Sequence, residues 1–386
     1  MFSSRVPGAL QPNRLTQKIR EARALGREII DLTQTNPTAV GIAHPDSLLA
    51  PLSDPASARY DPHPLGLAIA REAVARDYRR RGVTIDADRI VLTASTSEAY
   101  SILFKLLCNP SGDSVLVPVP SYPLFDHLTA LDGVAPVAYR LEYHGRWMVD
   151  LAAVDQRWDE RVRAVLAVSP NNPTGSTLTA SELRGLAERC AARDSALIVD
   201  EVFADYPLIA DPAPSGESVT PALTFRLGGL SKSVGLPQVK LGWIAVEGPE
   251  RLVQEALHRL ELICDTYLSV STPVQLAAPR MLSAGASVRQ QILDRVRTND
   301  AALRELAAGC PSVEALRSDA GWSAVVRVPA PRTEEQLVLE LLERDGVLVH
   351  PGFFFDFAHE AFLVLSLLPD PGVFAEGVRR LLARAR

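Results

Sequence analysis

Lysine is scarce in this sequence, and its amine is the side chain that could form a covalent bond with a carbonyl compound. Among 40 lysines and arginines, only four are lysine, namely Lys18, Lys105, Lys232 and Lys240. Lys232 lies among small residues in Gly228–Gly235, directly after a predicted strand. A lysine placed there beside another cation has a lowered pKa and acts as an amine nucleophile. An exposed loop lysine is the alternative.

A carboxylate and two amides follow two other apolar runs. Asp200 ends the run that begins at Ala196, and Asn171 and Asn172 lie in the turn Ser169–Gly175. A buried carboxylate needs a partner. A protonated pyridinium nitrogen would serve, whereas helix capping or a core salt bridge are the alternatives. Two prolines and a glycine make the turn rigid, with both amides at its tip; a turn without function stays open as well.

Hydroxyl groups follow a further apolar run. The segment Thr93–Glu98 comes after Arg89–Leu92 and opens a predicted helix. Hydroxyls and free backbone N–H groups at a helix N-terminus bind phosphate well. Ordinary capping of the helix by Ser97 or Thr96 is the alternative.

The elements that carry these groups alternate between apolar strands and amphipathic helices. We predict strands at Arg89–Ala94, Ser114–Pro118, Ala164–Ser169, Ala196–Glu201, Thr224–Leu227 and Trp243–Val246, and helices at Ser97–Cys108, Tyr122–Leu131 and Thr179–Ala192. Such alternation indicates a mostly parallel sheet covered on both faces. Because ligands bind beyond the carboxyl ends of the strands of such a sheet, the groups above are expected to meet there.

The pattern changes after about residue 250. We predict helices at Pro249–Cys264, Pro273–Ala308, Thr333–Arg344 and Gly372–Ala383, and strands at Ser323–Val328 and Phe362–Leu368. This mixture indicates a smaller α+β domain, with which the N-terminal segment is expected to pack. The predicted large domain covers residues 46–265, and the small domain combines residues 1–45 with 266–386.

Composition narrows the function classes. The net charge is −6 and no basic run is present, so nucleic-acid binding is not supported. We find no signal peptide and no apolar run long enough for a bilayer, and we expect a cytoplasmic protein without a membrane partner. The four cysteines are far apart and form no CxxC pair, which disfavours a metal site and disulfides.

Taken together and in this order, the motifs resemble the class I/II aminotransferases of fold type I, which use pyridoxal 5′-phosphate (PLP). The resemblance covers essentially the whole chain and is strongest at Asn172-Pro-Thr-Gly175, Asp200-Glu201, Ser231-Lys232 and Leu241-Gly-Trp243. It implies a three-layer αβα large domain with a mostly parallel sheet and a smaller α+β domain. It also implies a small-molecule amino donor and a keto acid acceptor.

The resemblance also implies residue roles. Lys232 would form a Schiff base with PLP and move the proton between substrate and cofactor. Asp200 would pair with the pyridine nitrogen, and Asn172 would donate to the phenolic oxygen. The remaining implied cofactor-binding residues are Ser95, Thr96, Ser231 and Lys240 at the phosphate, Tyr122 stacked on the ring, and Tyr60 at the phosphate of a neighbouring subunit. The last role implies a homodimer with shared active sites.

The chain departs from the family at three positions. Phe203 replaces a tyrosine, Lys240 replaces an arginine, and Val364 stands where the family has the arginine that holds the substrate carboxylate. Either a different arginine takes that role, or the substrate is an amine or amino sugar, or the alignment at Val364 is wrong. The candidate substitutes are Arg327, Arg317, Arg14 and Arg5. The aromatic run Phe353–Phe357 would line an apolar pocket or form a core edge.

We therefore predict an aminotransferase that moves an amino group from an amino acid to a 2-keto acid, in a biosynthetic process. Because of Val364, another PLP reaction remains the alternative: decarboxylation, elimination, oxidation, or transamination of an amine or amino sugar. A domain of this fold without catalysis is disfavoured because Lys232, Asp200 and Asn172 are all retained.

Overall fold

The structure is a computed structural model that describes residues 2–8, 11–209 and 220–386. Within those residues the chain forms fourteen strands and twelve α-helices. The strands are β1 (Ile30–Asp31), β2 (Ile90–Thr93), β3 (Ser114–Val119), β4 (Ala135–Tyr143), β5 (Trp147–Val149), β6 (Val162–Val168), β7 (Ala196–Asp200), β8 (Thr224–Gly229), β9 (Gly242–Glu247), β10 (Glu314–Ala315), β11 (Ser323–Arg327), β12 (Val347–Leu348), β13 (His350–Pro351) and β14 (Phe362–Ser366). The helices are α1 (Arg14–Ala24), α2 (Ala68–Arg80), α3 (Thr96–Leu107), α4 (Phe125–Asp132), α5 (Leu151–Arg157), α6 (Ala180–Ala192), α7 (Leu230–Ser233), α8 (Glu250–Tyr267), α9 (Thr272–Ala284), α10 (Ala286–Ala308), α11 (Glu334–Glu340) and α12 (Pro371–Ala385).

The main sheet has the strand order β2-β9-β8-β7-β6-β3-β4-β5 in the described residues. Strands β4, β3, β6, β7 and β8 are parallel, whereas β9 and β5 run antiparallel to their neighbours. Successive side chains along a strand point to opposite faces of the sheet, so the continuous apolar runs of the inner strands make both faces apolar. Along β7, Ile198 packs with the cluster of α3 and α8, whereas Leu197 and Val199 pack with that of α6. The predicted parallel sheet between helical layers is confirmed.

The helix that follows β6 begins as its sequence predicts. Thr179 is the N-cap of α6, and its side chain accepts from the backbone N–H of Glu182. The Glu182 carboxylate accepts from the N–H of Thr179 in return, which completes a capping box.

A second sheet of order β10-β11-β14-β13 is antiparallel and lies in the C-terminal part of the chain. Strand β1 pairs in parallel with β12, with Ile30 opposite Val347. The N-terminal segment therefore packs with C-terminal residues. The domain boundaries at residues 46 and 265 remain a prediction, which this pairing supports.

Three local predictions were wrong. The stretch expected as one helix from residue 273 to 308 is two helices that part at Gly285. There a Cβ atom would lie 2.4 Å from a side-chain carbon of Val234, so only glycine allows the close approach. Helix α4 begins at Phe125 and not at Tyr122, and β4 with β5 was missed. Strand β4 is largely exposed and lacks the continuous aliphatic run of the inner strands. No helix among the described residues is long and apolar enough to cross a bilayer.

Candidate active site

The carboxyl end of the main sheet brings a partly buried amine next to aromatic rings. Lys232 lies in the short helix α7, directly after β8, and its Nζ is 5.4 Å from the ring centroid of Phe203 and 5.0 Å from that of Trp322. Burial lowers the pKa of Lys232, and the Asp200 carboxylate opposes this effect in part. A lowered pKa increases the fraction of neutral amine, the form that attacks a carbonyl group.

The backbone that carries Lys232 is held by polar side chains. The Tyr206 hydroxyl donates to the carbonyl oxygen of Lys232 at 2.5 Å and reaches that of Ser233 at 3.1 Å. The Arg289 guanidinium donates to the same Ser233 carbonyl at 3.2 Å. These bonds satisfy carbonyl groups at the end of α7 and hold the amine in position.

The carboxylate at the end of β7 is buried and hydrogen-bonded on both oxygens. Asp200 Oδ2 accepts from the Tyr100 hydroxyl at 2.9 Å, and Oδ1 accepts from the backbone N–H of Val202 at 3.0 Å. Burial raises the pKa of Asp200 to about 6, although both hydrogen bonds and Lys232 act to lower it. A cationic partner at this position would restore the charged form.

The two amide side chains in the turn after β6 have different hydrogen-bond partners. Asn171 is buried and donates to the carbonyl oxygen of Pro120 at 3.0 Å and to the Thr174 hydroxyl at 2.8 Å, so it holds the turn together. Asn172 Oδ1 accepts from the Ser323 hydroxyl at 3.1 Å. That bond fixes the amide orientation, with the Nδ2 donor directed away from Ser323.

Three adjacent strand ends bring the predicted phosphate residues into one region. Thr93 at the end of β2 pairs with Gly242 at the start of β9, and the N–H of Leu230 donates to the carbonyl oxygen of Leu241 at 2.9 Å. Ser95 and Thr96 therefore lie beside the segment of Lys240, which lies beside that of Ser231. A Cβ atom on Gly242 would lie 2.9 Å from the backbone carbon of Ser95 and 3.1 Å from the Thr96 nitrogen, so glycine is required there.

The N-cap of α3 is Ser95, whose side chain accepts from the N–H of Glu98 at 3.1 Å, and neither Ser97 nor Thr96 takes that position. The capping alternative named the wrong residue. A serine oxygen that accepts one hydrogen bond still has its own O–H to donate, so capping and anion binding are compatible.

The two remaining predicted cofactor residues are exposed tyrosines. Tyr122 is 47 % exposed and follows Ser121, whose N–H donates to the Phe355 carbonyl oxygen at 3.0 Å. Tyr60 is 76 % exposed and lies in a surface segment before α2. Within the described part of one chain, no hydrogen bond joins either tyrosine to Lys232 or Asp200.

The amine, carboxylate, amide and hydroxyl groups lie at the ends of strands of the same sheet, and a comparison of the sequence with known families identifies the class of protein. Residues 33–381 match the aminotransferase class I and II family. The chain belongs to the class I and II aminotransferases. Enzymes of this family transfer an amino group from an amino acid to a 2-keto acid with PLP as cofactor, and this chain is such an aminotransferase.

Relatives of this aminotransferase cover most of its length. It is 28 % identical to alanine aminotransferase of Mycobacterium tuberculosis over 378 residues, which span 95 % of this chain and 87 % of the relative. It is 26 % identical to glutamate-pyruvate aminotransferase AlaA of Escherichia coli over 370 residues, 91 % of this chain and 89 % of the relative. The solved alanine aminotransferase of Pyrococcus furiosus shares the fold with a TM-score of 0.89 at 22 % identity, covering 99 % of both chains. The predicted fold type is confirmed.

The donor set of the aminotransferase fits PLP. The cofactor has an aldehyde, a pyridine nitrogen, a phenolic oxygen and a phosphate. The site offers a partly buried amine for the first, a buried carboxylate for the second and an oriented amide for the third. The N-terminus of α3, with its hydroxyls and the close approach at Gly242, suits the phosphate.

Two of the departures are visible in the site. The Phe203 ring faces Lys232 without a hydroxyl, and the hydroxyl of Tyr206 contacts backbone carbonyls, so it does not replace the missing group. Lys240 is exposed and has a left-handed backbone with φ of 61°. It carries the positive charge nearest in sequence to the start of β9, without the two-pronged geometry of an arginine.

The third departure concerns the substrate. Val364 lies on β14 and is buried, opposite Val325 on β11 and His350 on β13. The four candidate substitutes are engaged elsewhere: Arg327 with Glu314, Arg317 with Asp319 at 2.9 Å, Arg14 with Glu335 at 3.9 Å, and Arg5 with the carbonyl oxygen of Leu131 at 3.0 Å. Each of the four guanidinium groups therefore has a contact outside the predicted cofactor-binding residues, and their role as substitutes stays a prediction.

Sequence reasoning missed Tyr100, Trp322, Ser323 and Tyr206 as parts of the site. Tyr100 lies on the buried face of α3, where its pattern is that of a core residue. Ser323 opens an otherwise apolar strand, and this buried polar position is a signal that could have been used. For the aromatic run Phe353–Phe357, the sequence allowed either a pocket lining or a core edge. In the structure Phe355 is buried, whereas Phe353 is 47 % exposed.

Proposed function

We propose that this aminotransferase holds its cofactor on Lys232, and that Lys232 performs the proton transfers of the reaction. One observation carries the proposal. A partly buried lysine with a lowered pKa and a buried carboxylate with a raised pKa lie at the carboxyl ends of the adjacent parallel strands β8 and β7. Perturbed groups that lie together in this way are typical of active sites.

Bound PLP supplies an electron sink for the carbanion that forms at the substrate Cα. Asp200 keeps a proton on the pyridine nitrogen, which makes the ring a better acceptor of electrons. The Tyr100 hydroxyl and the Val202 N–H hold that carboxylate in place. Asn172, oriented by Ser323, donates to the phenolic oxygen.

The expected phosphate site lies after β2, after β8 and just before β9. We propose that Ser95, Thr96 and Ser231 donate hydrogen bonds and that Lys240 supplies charge. Tyr122, which follows Ser121, would supply an aromatic ring to hold the cofactor. These residues would hold the cofactor within reach of Lys232, whose Nζ would accept the proton that leaves the substrate Cα.

Phe203 and Trp322 surround the amine with apolar surface. Trp322 is almost fully buried and contacts Phe203 edge to face, with ring centroids 5.4 Å apart. This arrangement excludes water from the amine on that side, which keeps its pKa low and protects the reaction from hydrolysis.

We further propose a cytoplasmic homodimer with shared active sites that acts in a biosynthetic process. The exposed Tyr60 ring supports the dimer, since it is free to reach a second copy of the chain. Free thiols at Cys108, Cys190, Cys264 and Cys310 suit a reducing compartment. The relatives named for alanine and for glutamate and pyruvate make these compounds the first substrates to test.

Chemical trapping tests the role of Lys232. Protein loaded with PLP is reduced with borohydride, digested and analysed by mass spectrometry. We expect the cofactor label on the peptide that contains Lys232, and we expect Lys232→Ala to lack both the label and the visible absorbance band. Lys105→Ala serves as the matched control and should keep both. A label on Lys240 or Lys105 would contradict the proposal.

A further inference from the structure

One face of the C-terminal sheet lies beside the turn that carries Asn172. On β11 and β14, Ser323 lies opposite Ser366 and Val325 lies opposite Val364, while His350 on β13 lies opposite Val364. Opposite residues of antiparallel strands point to the same face, and so do residues two apart along a strand. His350, Val364 and Val325 therefore form a row next to Ser323, whose hydroxyl contacts Asn172.

This row offers a substrate carboxylate one polar group. Val364 and Val325 are buried and apolar. The arginine nearest in register, Arg327, lies at the far end of β11 and is paired with Glu314. An amino acid and a keto acid each carry a carboxylate, which needs a donor when it leaves water. Within the row, His350 is the residue with a side chain that can donate.

His350 has a hydrogen-bonding capacity that the fold does not use. Its Nδ1 atom is buried and has no partner within the described residues, although the ring as a whole is only partly buried. Native structures leave few buried polar atoms unpaired, and each such atom asks for an explanation. Burial lowers the pKa of His350, whereas the Asp31 carboxylate raises it. A neutral imidazole still has one N–H to donate.

The surroundings of His350 connect it to the predicted cofactor position. Its ring centroid lies 5.9 Å from that of Phe354 and 5.8 Å from that of Phe355. The Phe355 carbonyl oxygen accepts from the N–H of Ser121, the residue before Tyr122. The imidazole thus lies against aromatic side chains, beside the segment that is expected to contact the cofactor. Hydrogen bonds to an anion are strengthened in such surroundings.

We propose that His350 binds the carboxylate of the amino acid and keto acid substrates through an imidazole N–H, from the strand next to Val364. The inference rests on the proposed function, since it concerns the substrate of that same site. Neighbouring strands lie about 4.8 Å apart, so a side chain on β13 serves the same part of the cleft as one at position 364.

Rapid-mixing spectroscopy tests the inference. PLP-loaded wild-type protein and His350→Leu are mixed with L-alanine, L-glutamate or L-phenylalanine, and the decay of the visible band is followed against concentration for whichever reacts fastest. We expect His350→Leu to raise the half-saturating concentration about ten- to a hundredfold, as for a lost hydrogen bond to a charged group. The limiting rate should change less than threefold. His350→Gln, which keeps a donor, should show a smaller rise.

His359→Leu is the matched control, since His359 is exposed on the segment before β14, and it should behave as the wild type. A half-saturating concentration within threefold of wild type in His350→Leu would overturn the inference, as would a loss confined to the limiting rate. If His350→Leu does not form the visible band, His350→Gln and His350→Ala carry the same test. If wild-type protein reacts with none of the three amino acids, the proposed function fails and not the role of His350 alone.

Discussion

The Tyr100 hydroxyl donates a hydrogen bond to Asp200 Oδ2 over 2.9 Å, and both side chains are buried between α3 and the main sheet. Burial of the carboxylate raises the pKa of Asp200 to about 6, and the hydroxyl acts against this rise. Tyr100 is thus a positioning residue that acts on the cofactor through Asp200.

Removal of the Tyr100 hydroxyl should weaken cofactor binding. In Tyr100→Phe the charged form of Asp200 loses a hydrogen bond, and bonds to charged groups contribute about 1.5–3 kcal/mol. We expect the dissociation constant of PLP to rise about tenfold or more, measured by equilibrium titration of the visible band. Tyr139→Phe is the control, because Tyr139 donates to the Leu166 carbonyl oxygen and does not touch Asp200. An equal change in both variants would contradict the account.

The raised pKa of Asp200 predicts a pH-dependent stability of the cofactor-free protein. An unfolded aspartate has a pKa of about 3.9, so the folded state binds the proton more tightly. The contribution of Asp200 is therefore favourable below about pH 4 and is lost as the pH rises to about 6, a difference of about 3 kcal/mol.

Urea denaturation of Asp200→Asn checks this sign. Without cofactor, the variant should be more stable than wild type at pH 8 by about 2–3 kcal/mol and close to it at pH 4. The same variant should lose most of its aminotransferase activity, since no charge holds the proton on the ring nitrogen. A variant that is less stable than wild type at pH 8 would refute the assignment of a raised pKa to the buried Asp200 carboxylate.

Ser323 is expected to matter through the orientation of Asn172. In Ser323→Ala the Asn172 amide loses the hydroxyl that fixes its oxygen, a bond of about 1 kcal/mol. We expect kcat to fall several-fold, together with a shift in the pH titration of the visible band. Ser318→Ala removes a similar buried hydroxyl, which donates to the Thr174 carbonyl oxygen, and should leave that titration unchanged. Identical titration curves for Ser323→Ala and wild type would show that Asn172 is not oriented by Ser323.

Gly175 sets the position of the turn against the segment before β11. Its φ is 66°, and a Cβ atom would lie 2.6 Å from the Ala320 carbonyl oxygen. Gly26→Ala is a close control, because Gly26 has a φ of 65° and open space around its Cα. The control should cost about 1 kcal/mol of stability for the left-handed backbone, and Gly175→Ala clearly more, measured by urea denaturation. Equal losses would indicate that the turn moves freely from its neighbour.

Much of the large domain follows from local patterns. The strands that end at Thr93, Val168 and Asp200 are short apolar runs bounded by polar residues, and their period and length identify them in the sequence. The capping box at Thr179 likewise marks a helix start that the structure confirms. These features depend on residues that are close together in the sequence, so short sequence segments are enough to predict them.

The missed features depend on contacts between distant parts of the chain. The bond from Tyr100 to Asp200 spans 100 residues, and the bond from Ser323 to Asn172 spans 151. The two helices part at Gly285, where the side chain of Val234, from a distant part of the chain, packs against the glycine. A single sequence carries no marker for such approaches, because the residue types involved are those of an ordinary core.

The most direct test of the central claim follows amino-group transfer itself. Purified PLP-loaded protein is incubated with L-glutamate and pyruvate, and separately with a panel of other amino acids and keto acids, while each compound is quantified. The account predicts that a keto acid is consumed one for one with the amino acid, and that Lys232→Ala abolishes both. Consumption of an amino acid without a matching loss of keto acid, or with release of carbon dioxide or ammonia, would contradict transamination at this site.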